Sequence, residues 1–440
     1  MVVVKLKLAL RNIRHSARYR VRLYRAKRAR ANSGATFIGV TGSSGKSTTT
    51  TLLAHLLAGG HVSVYSQVLV NSITALISAL CKRVNNSNFD YVVSEVGARG
   101  KGSIGPMAEL LRPSVAIVTM VRLEHFSNFR TLENVAEEKR VLVDALPSDG
   151  LAILNVDDPY VKAMAVGAKC RVVTFGMSDG ADYRISDVRA GYPDPLTFKV
   201  HWKQNTLALT APFPADYFWL PLAAATVSAL ELGVSPEIVA SRLETFLPLQ
   251  NRCEVFVTEG GPEFIIDTAK APWHSINLAI DMMSKAAARR KRIVLGQISD
   301  YAGSSRKYGA AYQSAREAAD QVIYVGDNAH RSRAGQADRD NGRFREIRSP
   351  KEVSEFIKQT ALPGELILLK SSANLHLERV ALSWTHDVRC WETACGKEEG
   401  CRACGLYDVP FEQHRPRLLQ RRRARRWEFI RHLLGGRPPL

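Results

Sequence analysis

A glycine-rich segment between a short apolar run and a helical pattern constrains this chain more than any other feature. The run ends at Val40, and the segment that follows reads Thr41-Gly42-Ser43-Ser44-Gly45-Lys46-Ser47-Thr48. Leucines then recur at the spacing of a helix. Strand, glycine-rich turn and helix form the context in which backbone N–H groups and a helix N-terminus bind phosphate. We therefore predict a nucleotide site in which Lys46 reaches the β- and γ-phosphates and Ser47 ligates Mg²⁺.

The segment departs from the general phosphate-loop pattern at one position. G-x-x-x-x-G-K-[ST] has glycine where this chain has Val40. An ordinary Gly/Ser turn with one exposed lysine is the alternative interpretation of residues 41–48.

The chain as a whole predicts an α/β protein with more than one domain. Its 440 residues exceed one ordinary core, and strand and helix patterns alternate along most of its length. We expect a P-loop central ATPase domain with a mostly parallel sheet, followed by a smaller Rossmann-like α/β domain. The predicted segments are a basic arm (1–34), the central domain (35–248), the last domain (249–385), and a cysteine cluster with a basic tail (386–440).

Several reactive side chains stand near the ends of predicted strands. Glu95 ends an apolar strand, and because ligands of open α/β sheets lie at the carboxyl ends of strands, we expect it near the phosphate loop. His125 follows the next strand, and Lys139 lies on the helix after it. Taken singly, these residues also fit a surface carboxylate, a structural histidine and a solvated helix face. Asp267 after a later strand likewise fits a turn.

Several ordered segments resemble the Mur ligases, a family of ATP-dependent amide ligases that includes peptidoglycan enzymes and folylpolyglutamate synthetase. In these ligases, the phosphate loop has the sequence pattern T-G-x-x-G-K-[ST]. The segments SEVGARGKGSI and VTMVRLEHFSNFRTLENVAEEKRVLVDALPSDGLAILNVDDP continue the resemblance, which spans residues 36–385. Within the family they are most similar to the branch that adds D-alanyl-D-alanine to a UDP-linked tripeptide.

The resemblance implies a role for each matching residue. Lys46 and Ser47 would bind the phosphates and Mg²⁺, Glu95 would bind Mg²⁺ near the γ-phosphate, and His125 would hold a second Mg²⁺. Lys139 matches a lysine that the family carbamylates, which turns a cation into an anionic oxygen ligand suited to Mg²⁺. Arg252 would contact phosphate and Asp267 the ribose hydroxyls, with Lys270 adding charge beside the nucleotide.

The implied activity is carboxylate–amine ligation. A substrate carboxylate attacks the γ-phosphate of ATP, and an amine then displaces phosphate from the acyl phosphate to leave an amide. The expected partners are small-molecule carboxylate and amine substrates. A ligase for a carrier that is not UDP-linked is one alternative, and a catalytically weak nucleotide-binding scaffold is another.

Three departures from the family pattern concern substrate recognition. Only about 35 residues precede the phosphate loop, where the peptidoglycan enzymes carry a domain for the UDP-sugar. The asparagine-rich segment near the adenine is replaced by residues 216–221, Asp-Tyr-Phe-Trp-Leu-Pro. The family's KGSRG segment corresponds to residues 370–374, with Ala373 in place of the arginine. We expect retained catalysis with altered substrate recognition.

The formal net charge of +19 is concentrated at the two ends. Residues 1–30 carry eleven Lys or Arg and no acid, and residues 415–440 carry nine Arg and one Glu, so the body between is neutral. A basic amphipathic helix could lie on an anionic membrane surface. A solvated or disordered arm is the alternative, and nucleic acid is the less favoured partner. We expect a cytoplasmic protein, with peripheral attachment at the inner membrane face as a variant.

Four of the seven cysteines lie together near the end of the chain: Cys390, Cys395, Cys401 and Cys404. Four thiolates could hold a structural Zn²⁺ ion and stabilise an appendage that has little core of its own. Only the last pair has the usual two-residue spacing, and His386 or His414 could replace a thiolate. Free thiols and a redox or iron–sulfur role remain as alternatives.

Overall fold

The structure is a computed structural model of the 440-residue chain. It describes residues 2–68, 72–123, 126–299, 304–397, 399–421 and 423, with the backbone alone at residues 2–15, 86 and 126. The chain divides into two compact units, Met1–Leu247 and Pro248–Leu440. Within the described residues, no helix is both long enough and apolar enough to span a membrane.

The first unit alternates strands and helices, as the sequence predicts. Its strands are β1 (Thr36–Thr41), β2 (Val64–Gln67), β3 (Tyr91–Glu95), β4 (Val115–Val118), β5 (Leu151–Asn155), β6 (Arg171–Gly176), β7 (Tyr183–Gly191), β8 (Asp194–Trp202) and β9 (Asn205–Ala211). Its helices are α1 (Val2–Asn32), α2 (Lys46–Leu57), α3 (Ile73–Lys82), α4 (Ile104–Leu111), α5 (Phe126–Phe129), α6 (Leu132–Asp144), α7 (Pro159–Lys162), α8 (Trp219–Glu231) and α9 (Pro236–Leu243).

These strands form one sheet in the order β2-β3-β1-β4-β5-β6-β7-β8-β9. Pairing is parallel from β2 to β7 and antiparallel from β7 to β9. The central strands are continuous apolar runs because helices cover them: β1, β4 and β5 are buried along almost their whole length. The predicted mostly parallel sheet is confirmed, with the strand-rich residues 171–210 at its edge.

Helix α1 packs against this unit through its second half. Ala26 and Ala29 are buried, and Tyr19 and Leu23 pack on the main apolar core. Arg30 anchors the end of the helix because its guanidinium donates to the carbonyl oxygens of Leu111 (2.5 Å) and Arg112 (2.7 Å), which end α4. The same guanidinium lies 3.8 Å from the centre of the Phe37 ring. The basic arm is therefore partly an integral layer of the domain.

The second unit is a smaller α/β layer structure. Its strands are β10 (Glu254–Val257), β11 (Glu263–Asp267), β12 (Lys291–Leu295), β13 (Gln321–Val325), β14 (Phe344–Ile347) and β15 (Leu366–Lys370). Its helices are α10 (Trp273–Lys285), α11 (Ser305–Ala318), α12 (Gln336–Asp340), α13 (Pro350–Thr360), α14 (Arg379–Leu382) and α15 (Cys401–Cys404). The sheet order is β10-β11-β15-β12-β13-β14, and only β10 pairs antiparallel.

A buried ion pair supports the second sheet. Arg292 on β12 and Glu365 before β15 are both fully buried, with 2.9 Å between Nε and Oε1. Burial lowers the pKa of Arg292 to about 10, and the charge of Glu365 opposes that shift. Because a charge without its partner is very unfavourable in an apolar interior, each group depends on the other.

We expect Glu365→Ala to destabilise the second unit by about 3 kcal/mol, because it leaves the Arg292 charge buried without its carboxylate. Urea denaturation measures the difference. The matched control is Glu355→Ala, which removes a helical partner of Lys351 when both side chains are more than half exposed, and it should cost no more than about 0.5 kcal/mol. Equal losses in the two variants would contradict the role given to the buried pair.

Candidate active site

The phosphate loop, residues 41–48, joins β1 to α2 at the carboxyl edge of the first sheet. Gly45 precedes α2 with φ of 81°, a left-handed conformation that favours glycine. A Cβ at this position would lie 3.2 Å from Cβ of Pro221, which lies in the first turn of α8. The helix of twelve residues thus begins with free N–H groups at the loop, as phosphate binding requires.

The loop is held by its neighbours on the β4 side. The Thr119 hydroxyl donates to the carbonyl oxygen of Ser44 at 2.6 Å. The Ser43 hydroxyl donates to the carbonyl of Arg122 and accepts from its N–H, both at 2.8 Å. Gly42 has φ of 146°, and a Cβ there would lie 1.9 Å from the Thr119 hydroxyl oxygen. The loop conformation is therefore fixed by side chains and not by backbone propensity alone.

The predicted phosphate and metal residues of this loop come together with Glu95. The Ser47 hydroxyl donates to Oε2 of Glu95 at 2.7 Å, and both side chains are buried. The Lys46 ammonium donates to the carbonyl oxygen of Gly42 at 2.6 Å, so it lies folded back over the loop. The remaining loop positions, Thr41 and Thr48, are also buried. Two oxygen ligands of the kind that Mg²⁺ binds thus converge beside a cation and a helix N-terminus.

Lys139 is fully buried on α6, and its neighbour explains how the helix is held. The carboxylate of Glu138 accepts from the N–H groups of Gly102 and Ile104, each at 2.6 Å. This carboxylate joins α6 to the N-terminus of α4, in the segment that follows Glu95. His125 and Glu124 lie outside the described residues, so the role predicted for His125 stays a prediction.

Three supporting residues were not predicted as part of the site. Asp158 accepts from the N–H of Val121 at 2.9 Å and from the Arg122 guanidinium at 2.8 Å. Asn155 donates to the carbonyl of Thr119 at 2.8 Å. Together with Thr119 they position the backbone segment that holds the loop. Asn155 and Asp158 stand in the segment NVDDP at the end of β5, which is the only sequence signal for them.

In the second unit, the predicted nucleotide residues lie at or shortly after the carboxyl end of β11 and in the turn before β10. Asp267 ends β11 opposite Lys370 of β15, and the Lys370 ammonium donates to Asp267 Oδ2 at 2.6 Å. It also donates to the carbonyl of Lys270 at 3.0 Å, while the Lys270 side chain is exposed. Arg252 is partly exposed in the turn before β10. The structure thus adds Lys370, which is buried, to the predicted set.

The four clustered cysteines also belong to the second unit. Cys390 and Cys401 are buried, whereas Cys395 and Cys404 are partly exposed. The histidine that faces them is His376, whose Nε2 lies 3.0 Å from the sulfur of Cys395. His386 instead contacts the hydroxyl of Thr385, and His414 contacts the carbonyl of Val409. The spacing of the cysteines in the sequence could not identify His376 as a neighbour, because only the fold places it beside them.

Comparison with known proteins relates both units to one family. Residues 40–229 match the Mur ligase middle domain, and residues 251–373 match the Mur ligase glutamate ligase domain. The UDP-N-acetylmuramoyl-tripeptide–D-alanyl-D-alanine ligase of Bacillus subtilis is 26% identical over 79% of this chain and 75% of its own. The enzyme of the same name from Mycobacterium bovis is 27% identical, over 81% and 74%.

A solved structure shows the same fold. The MurF ligase of Thermotoga maritima, determined in complex with ADP, superposes with a TM-score of 0.72 at 20% sequence identity. The alignment covers 83% of this chain and 82% of that one. At this identity the likeness supports the architecture of the two units, and the chemistry of the site depends on the residues described above.

We expect Gly42→Ala to weaken ATP binding by about a hundredfold, because the added methyl group would displace Thr119 and with it the loop. Titration with a fluorescent ATP analogue measures the affinity. Gly180→Ala is the matched control, since a Cβ at Gly180 meets no atom within 4 Å and its φ is not positive. Unchanged affinity in a folded Gly42→Ala protein would contradict this account of the loop.

Proposed function

Because this chain belongs to the Mur ligase family of ATP-dependent amide ligases, we propose that it joins a substrate carboxylate to an amine. The reaction would take place at the carboxyl ends of the strands of the first sheet, beside Glu95. The observation that carries the proposal is the contact of 2.7 Å between the Ser47 hydroxyl and Glu95, both buried beside the phosphate loop. ATP supplies the phosphoryl group that turns a poor acylating agent, the carboxylate, into an acyl phosphate. The amine then forms the amide as phosphate leaves.

Within this proposal, the loop residues position the nucleotide and neutralise its charge. N–H groups of residues 44–48 would surround the phosphates, and the α2 N-terminus adds positive potential. The Lys46 ammonium exchanges its present acceptor, the Gly42 carbonyl, for phosphate oxygens. Ser43 and Thr119 hold the loop in place while this happens. The residues contribute mainly by orientation and by electrostatic stabilisation.

The donor set fits Mg²⁺. Ser47 and Glu95 supply a hydroxyl and a carboxylate oxygen that already lie within hydrogen-bond distance of each other, and hard oxygen ligands suit this ion. We include His125 as a ligand of a second Mg²⁺ on the resemblance alone. Magnesium supplies charge neutralisation at the transferring phosphoryl group.

We further propose that Lys139 is carbamylated and acts as an anionic ligand. The support is its full burial on a helix that Glu138 ties to the segment following Glu95. A carbamate at this buried position would provide an oxygen ligand for Mg²⁺. The unmodified lysine side chain is a cation and cannot serve as such a ligand.

We also propose nucleotide contacts for residues of the second unit. Asp267 accepts from Lys370 at 2.6 Å, and we propose that its remaining acceptor capacity binds the ribose hydroxyls. Lys370 would then keep the Asp267 carboxylate oriented. Arg252 and Lys270 would contribute positive charge toward phosphate.

We propose that the substrate differs from those in the relatives' names. Ala373 begins a short 3₁₀ turn, residues 373–375, after β15, at the position where the family pattern has a substrate-binding arginine. Loss of a guanidinium removes a bidentate site for a carboxylate. The acyl donor is accordingly an amino acid or peptide on a carrier other than the UDP-linked sugar.

We also propose a cellular location for the protein and a structural metal ion. Exposed Arg18, Arg20, Arg22, Arg25 and Arg28 on α1 support contact with anionic lipid by a protein of the cytoplasm. The C-terminal basic tail lies largely outside the described residues. A structural Zn²⁺ ion at the clustered cysteines is also proposed.

We expect purified protein with Mg²⁺-ATP to release ADP only when a carboxylate and an amine substrate are both present. Lys46→Ala should lower this rate by at least about a hundredfold, because it removes a charge from the phosphates. A coupled assay for ADP across a panel of carboxylates and amines measures it, with Lys169→Ala as a control on an exposed lysine. Nucleotide binding without turnover on a wide panel would instead favour the scaffold alternative.

Carbamylation has a direct spectroscopic test. Protein equilibrated with ¹³C-bicarbonate should show one carbamate carbon signal that disappears in Lys139→Ala, and ligase activity should fall when dissolved CO₂ is removed. Lys169→Ala controls for carbamates on exposed amines. A signal that persists in Lys139→Ala, or activity independent of CO₂, would rule out the modification.

A further inference from the structure

Beyond the ligase site, residues 376–404 bring a histidine, a glutamate and several thiols to one place in the second unit. One ligand atom each of His376, Glu378 and Cys401 lie within 4.8 Å of one another. The sulfur of Cys395 lies 3.0 Å from His376 Nε2, and Cys404 follows Cys401 on the same short helix, α15. The fold therefore gathers thiol and imidazole donors that are separated by up to 28 positions.

We propose that His376, Cys395, Cys401 and Cys404 bind a Zn²⁺ ion that fastens the appendage, residues 386–421, to the second unit. Three thiolates and one imidazole are a common tetrahedral set for structural zinc. In such a site, with Zn–S of about 2.3 Å and Zn–N of about 2.0 Å, neighbouring ligand atoms are separated by about 3.5 Å. The distance of 3.0 Å between His376 Nε2 and the sulfur of Cys395 is close to this value.

The backbone around Cys401 and Cys404 has the form of a metal-binding turn. The two residues begin and end α15, and the N–H of Gly405 donates to the carbonyl of Cys401 at 2.9 Å. Gly405 has φ of 61°, which lets the chain reverse immediately after the second cysteine. The C-x₂-C spacing and this reversal can direct both sulfurs to the same side.

The surroundings of His376 supply an independent argument. Its ring is almost fully buried, and Nδ1 has no hydrogen-bond partner in the described chain. That atom faces Glu378 Oε1 at 3.5 Å, while Nε2 faces Cys395. Histidines that bind a metal through one nitrogen usually direct the other at a carboxylate. Glu378 also accepts from the N–H of Cys401 at 3.0 Å, so it orients two of the proposed ligands.

Cys390 is assigned a different role. Its sulfur lies 3.8 Å from the guanidinium of Arg379, which also donates to its carbonyl at 2.7 Å. The N–H of Cys390 donates to the carbonyl of Tyr407. These contacts anchor the appendage near the metal ligands without using the thiol as one. The four-cysteine set expected from sequence is thereby replaced by three cysteines and His376.

A metal would compensate for the small apolar core of the appendage. In its described residues, the buried hydrophobic side chains are Cys390, Cys401 and Leu406. Segments this poor in apolar contacts need a cross-link or a metal to remain folded. His376 also follows the short turn after β15, so the ion would hold the end of the loop that begins at Lys370.

The test is the metal content of the full chain, purified without chelator and measured by inductively coupled plasma mass spectrometry. We expect about one zinc ion per chain, falling to less than a tenth of that value in Cys401→Ser and in His376→Ala. Cys81→Ser, outside the cluster, should retain full occupancy. His376→Cys should restore binding, which separates loss of a ligand from misfolding.

Cobalt substitution reports the ligand set. Co²⁺ in place of zinc should give intense visible bands of a tetrahedral site with thiolate charge transfer, and these should be kept in Cys390→Ser. Full zinc content in folded His376→Ala, together with loss in Cys390→Ser, would overturn the assignment in favour of four cysteines. Seven titratable thiols and no bound metal, even after addition of Zn²⁺ under reducing conditions, would overturn the metal site altogether.

Discussion

The parallel pairing of β1 with β3 on one side and β4 on the other is the constraint on which the candidate active site depends. This register sets Val40 opposite Glu95 and Thr41 opposite Val118. Three strand ends therefore meet at one edge, and the phosphate loop, the Glu95 carboxylate and the Thr119 hydroxyl are neighbours as a result. A shift of one residue would turn every side chain to the opposite face and separate these groups.

Side chains far apart in sequence then stabilise what the strands bring together. Asp158 and Asn155 hold the backbone at residues 119–122. The carbonyl of Arg122 in turn holds Ser43, and the Thr119 hydroxyl holds Ser44. The second unit uses a related arrangement, since Lys370 and Asp267 lie opposite each other on parallel strands. In both units, these polar groups at strand ends are paired with each other, which offsets the cost of burying them.

Much of this could be predicted from sequence, because the signals were local. The phosphate loop combines strand, glycines and helix within eighteen residues, and Glu95 ends an uninterrupted apolar strand. The parallel order followed from the alternation of strands and helices. His376 was missed for the opposite reason: its significance depends on contacts with residues 19 and 25 positions later, which no periodicity indicates. Lys370 was noted only as part of a segment, because an ion pair across 103 positions leaves no local trace.

The anchoring of α1 through Arg30 has a consequence for how its charge behaves in solution. The Arg30 guanidinium is held by two peptide carbonyls at the end of α4 and by the Phe37 ring. None of these three partners carries a formal charge. Such contacts are little affected by ionic strength, whereas attraction between the exposed arginines and a polyanion weakens as salt screens it. The helix thus contains two kinds of cation, and added salt would weaken any attraction of its exposed arginines to a polyanion without detaching the helix from its own domain.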